Sequence, residues 1–296
     1  MIPFDMPPKN PRTMLQKANR YAKKSLGQHF LNQPNIANEM VKLSGITHMD
    51  QIIEIGPGLG ALTLPLCKCA KKVFAIDIDS HLLDLLATEL DKKNIANVDL
   101  IHGDILKMPF AAVISQNDFL PNAKGRWLIM GNLPYHISSQ IIVKLIKERQ
   151  YFSQAVVMLQ KEMAERIQSA PGSKNYGRLS VMLQYCSTIK KLIDIKGNDF
   201  FPRVKVDSQV IQIQFRDKID LPVHNENVLF QVVKAAFGKR RKTINNALRG
   251  GLSCDASIIT DALNQAGIDP IRRAETLGVY EFVNLTNAFI TICGVP

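Results

Sequence analysis

The residues best suited to chemistry stand where apolar runs end. The run at 52–55 leads into Gly56-Pro57-Gly58-Leu59-Gly60, and a helical pattern starts at Ala61. Glycines at such a junction let the chain turn tightly and aim N–H groups at a ligand near a helix N-terminus. About twenty residues on, the run at 73–77 ends in Asp77, a carboxylate that can accept hydrogen bonds from two ribose hydroxyls. A third run, 98–101, is followed by His102-Gly103-Asp104, where a carboxylate can accept from the exocyclic amine of an adenine. The glycine spacing is GxGxG, with Ala61 where a dinucleotide fingerprint has its third glycine or alanine. Nicotinamide cofactors and S-adenosylmethionine both carry the ribose and adenine these groups would bind, and a turn with no ligand also fits the glycines alone.

A fourth run, 127–130, continues into Gly131-Asn132-Leu133-Pro134-Tyr135. An exocyclic aryl amine is a poor nucleophile because its lone pair is delocalised into the ring. A site that methylates one must accept hydrogen bonds from the amine and hold it in line with the methyl donor. The side-chain oxygen of Asn132 and the carbonyl of Leu133, freed because Pro134 interrupts regular pairing, are suitable acceptors, and the ring of Tyr135 can stack on the base. Hydride transfer has no use for such a tetrad.

These groups need a frame that brings strand ends together. Short apolar runs at Gln51–Ile55, 73–77, 98–101, 127–130 and 155–159 alternate with helical periodicity, as in residues 81–90 and Ser138–Lys147. That alternation predicts a doubly wound α/β fold with a mostly parallel, Rossmann-like sheet. The strict apolar–polar alternation of residues 210–215 predicts an antiparallel edge strand. Residues 216–227 read as a linker, and helices at 228–237, 242–249, 257–266 and 279–292 read as a small all-helical C-terminal domain. The predicted organisation is a basic N-terminal arm at 1–24, a cofactor-binding domain at 25–218 and a helical domain at 219–296.

Charge points to a polyanion. Lys and Arg number 37 against 26 Asp and Glu, a net charge of +11. The excess is +5 over residues 1–24, +5 over 25–218 and +1 over 219–296, where one dense run, Lys239-Arg240-Arg241-Lys242, remains. Together they suggest a basic track beside one pocket. The five cysteines form no CxxC pair and no secreted framework, so buried free thiols in a reducing cytoplasm are expected, with no metal site. No apolar stretch reads as a signal peptide or a membrane span.

The chain resembles the KsgA family of ribosomal RNA adenine dimethyltransferases over nearly its whole length. Six ordered segments carry the resemblance: residues 24–31 (KSLGQHFL), 54–60 (EIGPGLG), 132–135 (NLPY), 160–166 (QKEMAER), 176–180 (YGRLS) and 236–243 (AFGKRRKT). It implies a class I methyltransferase fold, S-adenosylmethionine as cofactor and small-subunit rRNA as substrate. The expected reaction is dimethylation of two adjacent adenosines in a hairpin near the rRNA 3′ end during subunit maturation, by a monomer without a metal ion. It further implies that Gln28, His29 and Leu31 contact the cofactor from the N-terminal segment. Gly56 and Gly58 lie under its amino-acid moiety, Asp77 binds the ribose, Asp104 binds the adenine, and Asn132 lies between cofactor and target amine. With Leu133 and Pro134 beside it, the target base is then clamped between Tyr135 and Phe200. Phe200 opens a segment that is FxPxPKVxS in the family and here reads FFPRVKVDS, with Val204 in place of the second proline. Asp79 is the alternative ribose ligand if the strand register differs. Two rival readings are a large-subunit rRNA methyltransferase of the resistance type and a non-catalytic rRNA-binding assembly factor. The fuller FxPxPKVxS-like segment and the long helical C-terminal region favour the small subunit.

Overall fold

A computed structural model describes residues 10–115, 126–239 and 241–294. Nine strands occur among them: β1 (Phe30–Leu31), β2 (Gln51–Ile55), β3 (Lys72–Asp77), β4 (Val98–His102), β5 (Trp127–Asn132), β6 (Gln154–Gln160), β7 (Ser187–Ile195), β8 (Phe200–Phe201) and β9 (Ser208–Phe215). Seven form one sheet in the order β4-β3-β2-β5-β6-β9-β7. The pairs from β4 through β6 are parallel, and β9 runs antiparallel to β6 with Met158 opposite Val210. This is the expected mostly parallel α/β sheet with an antiparallel addition, but β9, expected at the edge, lies between β6 and β7, and β7 is the edge strand on that side. Strand order reverses at β2, so a crevice opens beyond the C-terminal ends of β2 and β5, where open α/β sheets take their ligands.

The central strands are apolar on both faces because helices cover both. All five residues of β2 are buried, and so are residues 127–131 of β5. Leu66, Val73, Leu128, Met130, Val156 and Met158 belong to one core cluster. At Gly131 the sheet admits no side chain, since a Cβ there would lie 2.5 Å from the carbonyl oxygen of Ile55, its partner across the β2–β5 pair. β1 and β8 form a separate antiparallel pair, with Phe30 opposite Phe201 and Leu31 opposite Phe200.

The described residues divide into two compact units. One holds the residues up to Ala164 with Ile189–Phe215, and the other holds Glu165–Thr188 with the residues from Arg216 onward. The sequence pattern leaves Glu165–Thr188 with the cofactor-binding domain; by compactness it groups with the helical unit. There Tyr176 packs edge-on against Phe237, which in turn packs against Phe282. The helical unit contains Arg178–Cys186, for which no span was expected, and Glu226–Ala236, Ile244–Arg249, Ala256–Gln265 and Val279–Cys293, near the expected spans. The third of these starts at Ile244 rather than 242, because the Thr243 hydroxyl accepts from the Asn246 N–H and caps it. Lys239, Arg241 and Lys242 therefore precede that helix, and Arg240 lies outside the described residues. The cysteines are free, but only Cys186 is buried; Cys67, Cys69 and Cys254 are half-buried and Cys293 is exposed. Burial pushes the Cys67 thiol up to about 12, which makes it inert. No helix of the described residues is long and apolar enough to cross a membrane.

Candidate active site

A cavity of about 410 Å³ fills the crevice at the ends of β2 and β5. The glycine turn forms its floor. Gly58 has φ +54°, a left-handed conformation, and a Cβ there would lie 3.1 Å from the Phe30 ring. Its N–H points to Asp77 Oδ2 at 3.3 Å. The other oxygen of Asp77 accepts the Asp79 N–H at 2.9 Å, so two backbone donors orient this carboxylate at the end of β3. Burial nevertheless pushes its pKa above the usual aspartate value.

Asp79 does not line the cavity. Its carboxylate is held by Lys23 Nζ at 2.9 Å and Gln28 Nε2 at 2.8 Å. Of the two candidate ribose acceptors, only Asp77 therefore faces the cavity. Gln28, His29 and Leu31 line it too, brought there by the N-terminal segment. That segment is ordered through the helix Pro11–Lys17, whose Leu15 packs with Phe30, Leu59 and Leu82.

Asn132, Leu133, Pro134 and Tyr135 all line the cavity. The Asn132 side-chain nitrogen donates to the His29 carbonyl at 3.0 Å, which leaves its Oδ1 as an acceptor. The Leu133 N–H donates to Met158 across the strand end, at 3.2 Å. The Tyr135 hydroxyl bonds the Ser208 hydroxyl at 2.6 Å, and its ring lies nearly parallel to that of His29 with centroids 6.1 Å apart. His29 Nδ1 is 2.9 Å from the Pro202 carbonyl. Side-chain bonds thus join the N-terminal segment, the Asn132–Tyr135 turn and the 200–208 loop.

Two expected site residues are placed elsewhere. Phe200 is 3% exposed within the core cluster that includes Leu31 and Met130, and it does not line the cavity. Phe200 therefore does not reach the cavity that Tyr135 lines. The cause is the β1–β8 pairing, which sets Phe200 opposite Leu31 in the apolar interior. Asp104 stands just past β4 but is not among the lining residues; its Oδ1 accepts from the Leu106 N–H at 2.9 Å.

Glu54 is the lining residue that motif reasoning quoted without a role. It is buried, and among the described residues its Oε2 has no hydrogen-bond partner. Desolvation raises its pKa to about 8; the nearby Thr63 hydroxyl opposes this without completing a hydrogen bond, and the Asp77 charge adds to it. Its position two residues before Gly56, on a wholly buried strand, is the signal that could have singled it out.

The donor set fits S-adenosylmethionine. Asp77 can accept from ribose hydroxyls, the unpartnered oxygen of Glu54 suits an ammonium group, the glycine turn admits backbone contact, and Leu31, Leu59 and Ile78 offer apolar walls. The profile of the family described as ribosomal RNA adenine dimethylase matches residues 19–289. A ribosomal RNA small subunit methyltransferase A from Desulforapulum autotrophicum is 44% identical over 285 residues, covering 96% of this chain and 98% of that protein. One of the same name from Geobacillus thermodenitrificans is 42% identical over 273 residues, covering 91% and 92%. Among solved structures, a dimethyladenosine transferase from Plasmodium falciparum superposes with a TM-score of 0.71 at 26% identity, covering 86% of this chain and 95% of that one. The 23S rRNA methyltransferase ErmE shares the fold at a TM-score of 0.63 and 20% identity, covering 88% and 99%. With its glycine turn, its acceptor pair on β2 and β3 and its Asn-Leu-Pro-Tyr turn in one crevice, the chain belongs to the ribosomal RNA adenine dimethylase family.

Proposed function

We propose that the protein dimethylates the 6-amino groups of two adjacent adenosines in a hairpin near the 3′ end of small-subunit rRNA. It acts as a monomer on immature small subunits in the cytoplasm. S-adenosylmethionine, when bound, supplies an electrophilic methyl group on a sulfonium centre. The names of the 44%- and 42%-identical relatives support the small subunit over the large. A non-catalytic role has no need for Asn132, Asp77 and the glycine turn in one cavity.

The observation that carries the reading is the direction of the Asn132 amide. Because its nitrogen is engaged by the His29 carbonyl at 3.0 Å, its oxygen is left to accept from an amine entering the cavity. The Leu133 carbonyl supplies the second acceptor; no described residue donates to it. Together they favour a nitrogen whose lone pair is turned out of ring conjugation. Tyr135, its hydroxyl held by Ser208, offers a ring face for the flipped-out base. Gln28, His29, Leu31, Gly56, Gly58 and Asp77 hold the cofactor. The proton leaves to water, since the nitrogen is cationic after transfer and needs no strong base. Asp104, whose Oδ1 is engaged by the Leu106 N–H, has its Oδ2 to offer the adenine amine.

The test is incubation with labelled S-adenosylmethionine and separated, unmethylated small and large ribosomal subunits, followed by mapping of the modified nucleotide. Label on two adjacent small-subunit adenosines is expected. Label on the large subunit, or none on either, overturns the reading.

A further inference from the structure

Asp79 is 5% exposed, yet it faces neither the cavity nor the core. Its Oδ2 receives both the Lys23 ammonium at 2.9 Å and the Gln28 amide at 2.8 Å. The Gln28 side-chain oxygen accepts the Lys23 backbone N–H at 2.8 Å, and the Gln28 N–H reaches the Lys23 carbonyl at 3.3 Å. The three residues thus form a closed ring of hydrogen bonds. On its other side, the Asp79 N–H holds Asp77 Oδ1 at 2.9 Å. One residue therefore ties the turn preceding His29 and Leu31 to the Asp77 carboxylate that lines the same cavity.

A carboxylate this buried is unfavourable unless it is paired and hydrogen-bonded, so removing a partner has a larger effect than at an exposed ion pair. Few other polar contacts fasten this stretch. Arg20 Nη2 lies 3.4 Å from His81 Nδ1, a long contact between exposed side chains, and Tyr21 is 87% exposed. The apolar anchor, Leu15 with Phe30, Leu59 and Leu82, takes in Ala22 from within the stretch, and the Asp79 ring is the main side-chain polar fastening of residues 18–28 beside it. The basic character of the arm is therefore used in part internally, at Lys23.

We propose that Asp79 is a positioning residue that latches the N-terminal segment over the cofactor cavity and couples its closure to the orientation of Asp77. The inference rests on the reading that this cavity takes S-adenosylmethionine. The latch acts on cofactor retention rather than on the transfer step.

The test compares Asp79→Asn, Lys23→Ala and Lys23→Arg in the full-length protein. Amide hydrogen exchange over residues 18–28 is followed without ligand, and S-adenosylhomocysteine affinity is measured by calorimetry. Asp79→Asn and Lys23→Ala are expected to speed exchange in that stretch and weaken affinity, each by about tenfold, the effect of losing one charge-assisted hydrogen bond. Exchange in β2 and β5 stays unchanged, which separates latch opening from unfolding. Lys23→Arg keeps the pair and stays within about twofold of the parent. With small subunits as substrate, KM for S-adenosylmethionine rises while kcat at saturation holds. Unchanged exchange over 18–28 in Asp79→Asn overturns the latch. Parent protein that fails to bind S-adenosylhomocysteine overturns the reading of the cavity instead.

Discussion

The backbone N–H of Val204 donates to the carbonyl of Gly197 at 3.1 Å, closing the loop that follows β7. The FxPxPKVxS motif that residues 200–208 resemble has proline at this position, and a proline has no N–H to donate. The loop here is thus held by a hydrogen bond where a ring would restrict φ, and the Val204 side chain, 6% exposed, joins the same core cluster as Phe200. Asp207 adds to the closure, accepting the Gly197 N–H at 3.2 Å and pairing with Lys196 at 2.8 Å. Val204→Pro is expected to lose about 1 kcal/mol, the net worth of one such bond, in chemical unfolding. Gly197→Ala is expected to lose more, because its Cβ would meet the Val204 carbonyl oxygen at 2.3 Å. Equal stability of both variants and the parent would mean that this closure is not formed in solution.

Gly131→Ala tests the junction on which the site is built. The added methyl would press on the Ile55 carbonyl oxygen at 2.5 Å and force β2 and β5 apart where Gly56 and Asn132 begin their turns. Overpacking of this kind costs ~1–3 kcal/mol, and it displaces both walls of the cavity. Calorimetric unfolding should show the loss of stability, and cofactor affinity should fall with it. Retained affinity in a destabilised variant would show that the strand ends can relax independently of the turns.

Asn132 and Asp77 are expected to separate transfer from binding. Asn132→Ala removes an acceptor for the target amine, and kcat should fall by at least ~10²-fold, as for loss of one preorganised polar contact at a reacting centre. Its cofactor affinity should change only a few-fold. Asp77→Ala removes the carboxylate that faces the cavity, so the KM for S-adenosylmethionine should rise with less effect on kcat. Calorimetry with S-adenosylhomocysteine and initial-rate kinetics on unmethylated small subunits check both. Near-normal transfer by Asn132→Ala would remove it from the reaction centre.

The sequence made the parallel sheet and the crevice legible because strands buried on both faces are written as continuous apolar runs. β7 was not legible. Its sequence, Ser-Thr-Ile-Lys-Lys-Leu-Ile-Asp-Ile, mixes charge with apolar residues at no fixed period, because it is an edge strand on which Lys190, Lys191 and Asp194 are exposed. The glycine turn, Asp77 and the Asn132–Tyr135 turn could be read from residue type and spacing at strand ends. Phe200 could not be placed that way, because its burial depends on pairing with Leu31, nearly 170 residues earlier in the chain. The Asp79 ring has the same character: only the fold brings Lys23 and Gln28 to a carboxylate some 50 residues away. Glu54 was visible as a letter in a motif, but its missing partner is a property of three-dimensional burial.

That burial makes Glu54 a source of pH dependence. In the unfolded chain it ionises near its ordinary value of 4.5; in the folded protein desolvation holds the proton to about 8. The folded state therefore binds more protons than the unfolded state between these values. Stability contributed by the protonated acid is full below pH 4.5, declines as pH rises toward 8, and levels off above it. Glu54→Gln keeps the size and the neutral form at every pH, so its contribution to this slope disappears. The variant is expected to come close to the parent near pH 5 and to exceed it near pH 8.5, by on the order of 4 kcal/mol, since each pH unit between the two values is worth about 1.4 kcal/mol. A bound ammonium group would favour the carboxylate, so S-adenosylhomocysteine should stabilise the parent more than the variant at pH 8.5. Thermal unfolding across pH 5–9, with and without S-adenosylhomocysteine, measures both effects. Parallel pH profiles for parent and variant would show that Glu54 is already ionised in the folded protein at neutral pH.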